Sequence, residues 1–553
     1  MLKHKHTFTS EIIPPLCEEE GYTKHVCECG EEYIDTYVSA KGHSLENGFC
    51  KNCDYSVFQY TLSPAGDSYI FEHGAGGNVV ILSEYNGLPV TSIGDSAFEN
   101  CTGLLSVTIP DSITSIGNSA FLGCTSLTSV TIPDSVTSIG REVFSGCDAI
   151  SEITLPFVGT TEDGSQTTQL ACIFGSVSWA QDNSSVPSSL KKVIITSGAE
   201  IGDYAFYGCS SIESITIPES VTSIGYQAFA ECTGLTEINF NATDCSLSYP
   251  VYFYNAPFMN SGKSGTGIVL NIGDNVKHIP NRLFNASNVS SIKIGKSITS
   301  IGDYAFSRCE SLTEVTIPGN VLNIGNYAFE ACYNLCELTI EEGVKSIGNY
   351  AFEYCNELTE IVIPNSIENI GHATFYECDS LRYNSEGDLN YLGNNTNKYL
   401  FLINVPIGIR TATINENCKI ISSSAFYDCS LLTSVTIPEG VTSIGDYAFS
   451  GCSSLESITL PDSVKNIGTT AFRDCRSLTS IVIPDSVTSM GYDAFYWCTL
   501  TIYCEASQKP DGWDSDWNCD YDNSINNGEK SYLTVFWKGQ WQYDENGIPV
   551  PLS

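Results

Sequence analysis

Charged side chains are scarce in this 553-residue chain: Asp, Glu, Lys and Arg make up 16%, against roughly a quarter in ordinary soluble domains. Cations are scarcer still, since 25 Lys and Arg face 64 Asp and Glu, for a net charge of -39. That balance argues against a nucleic-acid partner, because phosphates would be repelled. It suits solubility for a long rod without any partner. No apolar run reaches the ~18 residues that a membrane-spanning helix needs. The opening stretch, MLKHKHTFTS, is basic but lacks an apolar segment, so no signal peptide is read here. A sortase-type LPxTG anchor is missing as well, since LPFVG at Leu155–Gly159 lacks the Thr. These absences are compatible with an interior fragment of a larger protein. Catalytic signatures are missing too: there is no G-x-S-x-G, no H-E-x-x-H and no G-x-x-x-x-G-K-[ST], and His73, His278 and His372 are scattered. The expectation is a protein that is not an enzyme.

What the chain has instead is repetition. SLTSVTIPDSVTSIG at Ser126–Gly140 returns almost unchanged at Leu431–Gly445 and Ser477–Gly491. Thirteen segments of the type AFxxC recur, and within runs their cysteines stand 23 residues apart: Cys101, Cys124, Cys147; Cys209, Cys232; Cys309 to Cys378; Cys429 to Cys498. A fixed period of this size means one supersecondary unit stacked on its neighbours. The unit after Cys124 can be read directly. Val130 and Ile132, two apart, suit a short strand with one face inward. Pro133 stops it, having no N–H for a ladder. Val136 and Ile139 suit a tight turn or 3₁₀ segment. Gly140 permits a positive φ or a close backbone approach. Val143 and Phe144 then belong to a short helical return. No coil can bury these residues alone, so each stacks on its equivalent in the next coil at ~4.8 Å.

The unit L-x-x-[VI]-x-[IL]-P-x-x-[VI]-x-x-I-G-x-x-A-F-x-x-C resembles the BspA-like leucine-rich repeats of bacterial and some protist surface proteins, over about Val90 to Leu500. The resemblance implies a repeat solenoid: a right-handed, β-rich stack of leucine-rich-repeat coils, with a parallel sheet on one face and short helical or 3₁₀ turns on the other. It implies surface adhesion or recognition, an extracellular or cell-surface location and no catalytic residues.

Four regions follow: a Cys/His-rich module over 1–57, a β-rich cap over 58–89, the solenoid over 90–500, and a terminal cap or linker over 501–553. The solenoid carries irregular insertions near 156–195, 241–290 and 381–420, where consecutive ladder cysteines are 62, 77 and 51 residues apart. Loops on a rigid scaffold are a common seat of binding specificity. Variant structural coils explain the same breaks. Near the end, Trp513, Trp517, Trp537 and Trp541 suit a cover for the last coil, with a sugar-binding platform as the alternative.

The 13 ladder cysteines should point the same way. Disulfides need Cβ atoms turned toward each other at ~3.8 Å, so these are read as buried, free, small apolar residues. The first segment differs. Cys27-x-Cys29 and Cys50-x-x-Cys53 resemble the two knuckles of a zinc ribbon, which implies structural zinc on Cys27, Cys29, Cys50 and Cys53. The first knuckle is one residue short, and His6, Cys17 or His43 could replace a ligand. Disulfides and free thiols stay open there. No cofactor is expected for the solenoid.

Outward strand positions are also readable. Thr316 and Thr339 belong to a Thr-dominated ladder, as sheet propensity alone would favour. Two residues after the Leu-type position come Glu237, Glu314, Glu337 and Glu360, where other coils carry Ser. Stacked like charges cost stability unless hydrated or paired, so this stripe is the local candidate for a cation-rich or Ca²⁺-bridged partner; a solvated face is the plain alternative. Tyr204, Tyr304, Tyr327, Tyr350 and Tyr447 precede the Ala-Phe pair and read as packing over a coil edge or a second contact strip. The functional expectation is a monomeric rod that binds protein or glycan ligands at a cell surface. A stalk presenting another module and a carbohydrate-binding accessory are the alternatives.

Overall fold

A computed structural model describes residues 8–13, 21–27, 31–38, 45–46, 49–50, 58–74, 76–161, 169–175, 183–248, 255–520 and 531–552. The chain divides into two compact units, Met1–Gly198 and Ala199–Ser553. Each is built from parallel β-coils. Among the described residues the only α-helix is the four-residue Ala171–Phe174.

In the second unit each regular coil contributes two short strands. The first follows the Leu position, as in Glu314–Ile317 and Glu337–Ile340, which pair in parallel and in register. The second ends on the repeat Ile, as in Asn323–Ile324, Ser346–Ile347 and Asn369–Ile370, again parallel. The Pro between them accepts a turn-closing bond, as when the Val321 N–H donates to the Pro318 carbonyl (3.0 Å). Pro thus ends one strand and starts the turn that leads to the next.

The return side differs from the short helical segment expected. It is a run of turns in which two residues four apart sit at positive φ, such as Tyr350 (φ 56) and Tyr354 (φ 60). This backbone turns alternate peptide groups along the stacking direction. The N–H groups of Tyr327, Phe329 and Ala331 therefore donate to the carbonyls of Asn349, Ala351 and Glu353 one coil on, at 2.8, 2.8 and 2.7 Å. A helix would have spent those donors within its own coil. The repeat Gly is needed for close approach rather than for left-handed geometry: a Cβ on Gly348 would lie 2.5 Å from the Gly325 carbonyl carbon and 2.6 Å from the Asn326 nitrogen.

Inside, Phe306, Phe329 and Phe352 are fully buried and stack face to face at centroid distances of 5.2 and 5.3 Å. The ladder thiols are buried beside them. From Cys124 to Cys475 they are free. They also do more than fill space: Cys332 and Cys355 Sγ–H donate to the carbonyls of Phe306 and Phe329 in the preceding coil, at 3.3 and 3.4 Å. Burial pushes the Cys309 thiol up to about 12, so it stays protonated and keeps its donor at neutral pH.

The first unit repeats the plan with Ser92, Ser115 and Ser138 in register along its second-strand ladder and Phe98, Phe121 and Phe144 stacked at 4.9 and 5.5 Å. Ahead of them, Gln59–Leu62 pairs antiparallel with Tyr69–His73, which runs parallel to Leu88–Ile93. Further upstream, Phe8–Ile13, Gly21–Cys27 and Glu32–Val38 form an antiparallel three-stranded sheet. Cys29 and Cys53 lie outside the described residues, and Cys50 is described in its backbone alone. The zinc expectation therefore falls outside the described structure.

Candidate binding surfaces

On the strand face of the second unit, Glu314 and Glu337 are exposed register partners, and so are Thr316 and Thr339. Glu360 is exposed at the same place one coil further, where Leu338 pairs Ile361. Glu314, Glu337 and Glu360 make no ion pair among the described residues. Glu237 is separate. Its register partner is Val269, whose own partner is Ser291, so two coils without a carboxylate intervene before Glu314. Glu237 is also engaged within the sheet, accepting from Ser214 Oγ (3.1 Å) and Asn271 Nδ2 (3.4 Å). Among the described residues no group of three or more His, Cys, Asp or Glu is arranged to hold a metal ion.

The return edge carries a second surface. The Arg282 guanidinium lies 3.8 Å from the Tyr304 ring centroid. Tyr304, Tyr327 and Tyr350 stack in turn at 4.6 and 4.8 Å. Burial, with Tyr304 and Tyr350 on either side, pushes the Tyr327 hydroxyl up to about 12. Close to this column Glu353 is held up at about 7, first by burial and then by the charges of Glu330 and Glu377. The column passes through His372, edge-on to Tyr350 at 5.1 Å and tilted against Tyr447 at 5.8 Å.

Beyond His372 the stack opens. A cleft of about 840 Å³ is lined by the return segment around Ala373, Phe375 and Glu377, and by Ser422, Ser423 and Tyr427 opposite. Its cause is a missing piece of chain. Leu402 pairs Ile421 in the second-strand ladder and Ala412 pairs Val435 in the first. The return from Ile421 to Val435 takes 14 positions, and the return from Leu402 to Ala412 takes 10. Four residues short, this coil cuts straight back and never covers its predecessor. Consequently the N–H groups of Ala373, Phe375 and Glu377, whose equivalents Tyr350, Phe352 and Tyr354 donate at 2.8, 2.9 and 3.0 Å, have no partner among the described residues. Across the gap the Ala425 carbonyl takes the Val405 N–H (3.1 Å), while the Tyr427 carbonyl has no donor among the described residues. His372 Nδ1 and Ser424 Oγ, 2.8 Å apart, close one end. Burial there holds the His372 imidazole below its ordinary range.

The sequence carried a signal for this cleft that the period alone does not reveal. Ser422 stands where regular coils have the close-approach Gly. Here the preceding chain turns away early, and the Ser422 Oγ fits beside it by donating to the Ile403 carbonyl (2.6 Å). The terminal tryptophans, in contrast, offer no open sugar platform at their core pair: Trp513 and Trp517 are buried and packed edge to face at 4.7 Å, and Trp513 Nε1 donates to the Val487 carbonyl (3.0 Å).

A stack of short parallel strands, with inward Leu, Ile and Phe ladders and a turn return, defines the leucine-rich-repeat class. Residues 78–167, 185–265, 269–403 and 406–506 match the BspA type leucine rich repeat region (6 copies). The chain belongs to that family. No curated protein matches it. Among solved structures it is similar to a leucine-rich repeat protein from Bacteroides ovatus, at 24% identity over 81% of this chain and 93% of that one, with a TM-score of 0.29. It is similar to the pneumococcal vaccine antigen PcpA at 21% identity, over 57% and 78% of the two chains, with a TM-score of 0.29. A third, described as a leucine rich cell surface protein from Faecalibacterium prausnitzii, shares 22% identity over 78% and 89%, with a TM-score of 0.21. Among the described residues no helix is long and apolar enough to cross a membrane.

Proposed function

We propose that this chain is a non-enzymatic recognition protein, acting outside the cell or at its surface, whose exposed strand face binds a cation-rich protein partner. The observation that carries this reading is the arrangement of Glu314, Glu337 and Glu360. Like charges repeated at neighbouring coils destabilise a sheet, and these carboxylates pair with no cation among the described residues, so packing offers no reason for them. A partner's Lys or Arg side chains would relieve the repulsion, and the net charge of -39 would steer such a partner in. Thr316 and Thr339 supply hydroxyls on the same face. The surface description of the Faecalibacterium protein supports the location. Membership of the BspA family supports a binding role rather than catalysis.

The test is an array of matrix proteins and glycans probed with the full chain and with a Glu314→Ser, Glu337→Ser, Glu360→Ser variant. A basic protein ligand that the variant loses supports the reading. Ligands bound equally by both refute this face as the site.

A further inference from the structure

We propose that the cleft between the returns at Ala373–Glu377 and Ser423–Tyr427 is a docking slot for an extended peptide segment of a partner protein, one that carries a basic side chain. This site is distinct from the strand face, and the inference does not rest on the reading given for that face.

The cleft is what remains when one layer of a hydrogen-bonded stack is taken away. Its floor presents the N–H groups of Ala373, Phe375 and Glu377, one every second residue, without partners among the described residues. An extended peptide presents carbonyls with the same two-residue repeat. Laid along this floor it would accept where the missing return would have accepted. The Tyr427 carbonyl opposite is open to a donor from the same peptide. Recognition by adding a strand to an exposed backbone edge follows the same physics. Phe375 is buried and Ala373 half-buried, whereas Glu377 is exposed; a buried N–H without a partner is costly, so the slot gains most by being filled at Phe375.

The walls restrict the occupant further. Tyr350, Tyr376, Tyr383, Tyr427 and Tyr447 line the cleft and offer flat, amphipathic surfaces for side chains. Glu377 and Asp379 contribute carboxylates, while no Lys or Arg among the described residues lines it. Charge complementarity therefore selects a segment with Lys or Arg. A glycan could stack on the tyrosines, but its hydroxyls have no two-residue repeat to match the floor.

The experiment pans a phage-displayed random dodecapeptide library on the full chain, then measures the synthetic winners by fluorescence polarisation. Asn404 lies exposed on the cleft lining, so Asn404→Trp fills the slot from its rim. We expect winners with a Lys or Arg, weakened at least tenfold by Asn404→Trp and several-fold by Glu377→Gln. Amide-to-ester replacement in the peptide, which weakens the adjacent carbonyl as an acceptor, should reduce affinity at alternate positions only. Deuterium exchange of the Ala373, Phe375 and Glu377 amides should be faster than that of Tyr350, Phe352 and Tyr354 in the free chain, and should slow at least tenfold with peptide bound. Winners insensitive to Asn404→Trp, or slot amides already protected in the free chain, overturn the proposal. So does a glycan array in which a sugar, and no peptide, binds and is lost with Asn404→Trp.

Discussion

Phe329 and Phe375 occupy the same place in their coils, yet the structure gives them different neighbours. Phe329 is fully buried between Phe306 at 5.2 Å and Phe352 at 5.3 Å. Among the described residues Phe375 stacks on Phe352 alone, at 5.7 Å; its other side faces the cleft, and it keeps 6% exposure. Truncating a buried Phe to Ala costs about 3–5 kcal/mol through lost transfer energy and the cavity left behind. Each aromatic contact adds roughly 0.5–1.5 kcal/mol. Phe329→Ala removes two such contacts and Phe375→Ala one, so Phe375→Ala should be milder by about 1 kcal/mol. Because coils touch only their neighbours, stability is close to a sum of local terms. The loss from Phe329→Ala should therefore concentrate in the coils that hold Phe306, Phe329 and Phe352. Native-state hydrogen exchange read by mass spectrometry, at low denaturant, resolves this coil by coil. A Phe375→Ala variant as damaging as Phe329→Ala, or a Phe329→Ala loss spread evenly over residues 199–553, refutes the reasoning.

Gly348→Ala should destabilise by about 1–3 kcal/mol, because its Cβ meets the Gly325 backbone at 2.5 Å; Ser422→Gly gives up one hydrogen bond to the Ile403 carbonyl and creates no clash, so it should cost only about 1 kcal/mol, and a larger loss than for Gly348→Ala would show that close approach is not the constraint. Glu353, held up at about 7 against an ordinary 4.5, binds more protons folded than unfolded between those values, so its contribution to stability falls as pH rises through that window. Glu353→Gln should stabilise at pH 8 by about 1 kcal/mol, discounted for a half-exposed group, and change little at pH 4.5; thermal melts with the same shift at both pH values would contradict this. Among the cysteines whose side chains are described, Cys336 is exposed, Cys101 is partly buried and the rest are buried. Iodoacetamide at neutral pH should therefore label Cys336 first and Cys101 slowly, and leave Cys309, Cys332 and Cys355 untouched until unfolding, by peptide mapping.

The legible parts of the fold were those written thirteen times. Val130, Ile132, Phe144 and Cys147 recur with their neighbours at one spacing, and a recurring apolar position can be buried only against its own copy. Pro133 and Gly140 mark the strand stop and the close approach for reasons local to the backbone. Of the helical or 3₁₀ turns expected for the return, the chain takes tight turns, with the Glu330 N–H donating to the Tyr327 carbonyl (3.2 Å); Val143 and Phe144 did not distinguish the two because they are apolar in either conformation. Stacking decided the matter, by demanding that peptide groups such as that of Tyr350 reach the next coil rather than their own. Of the candidate stripe, the neighbourhood of Glu314, Glu337 and Thr339 could be read from the period, whereas the coils of Val269 and Ser291 that set Glu237 apart lie within a break.

By itself the sequence determined the coil: its period, its inward ladder and its buried thiols. The cleft was decided by tertiary structure. The stretch between Cys378 and Cys429 reads as longer than a regular coil, yet pairing of Leu402 with Ile421 and of Ala412 with Val435 leaves one return four residues short. Only strand register, a property of two coils together, shows where chain is missing and which backbone N–H groups are left open.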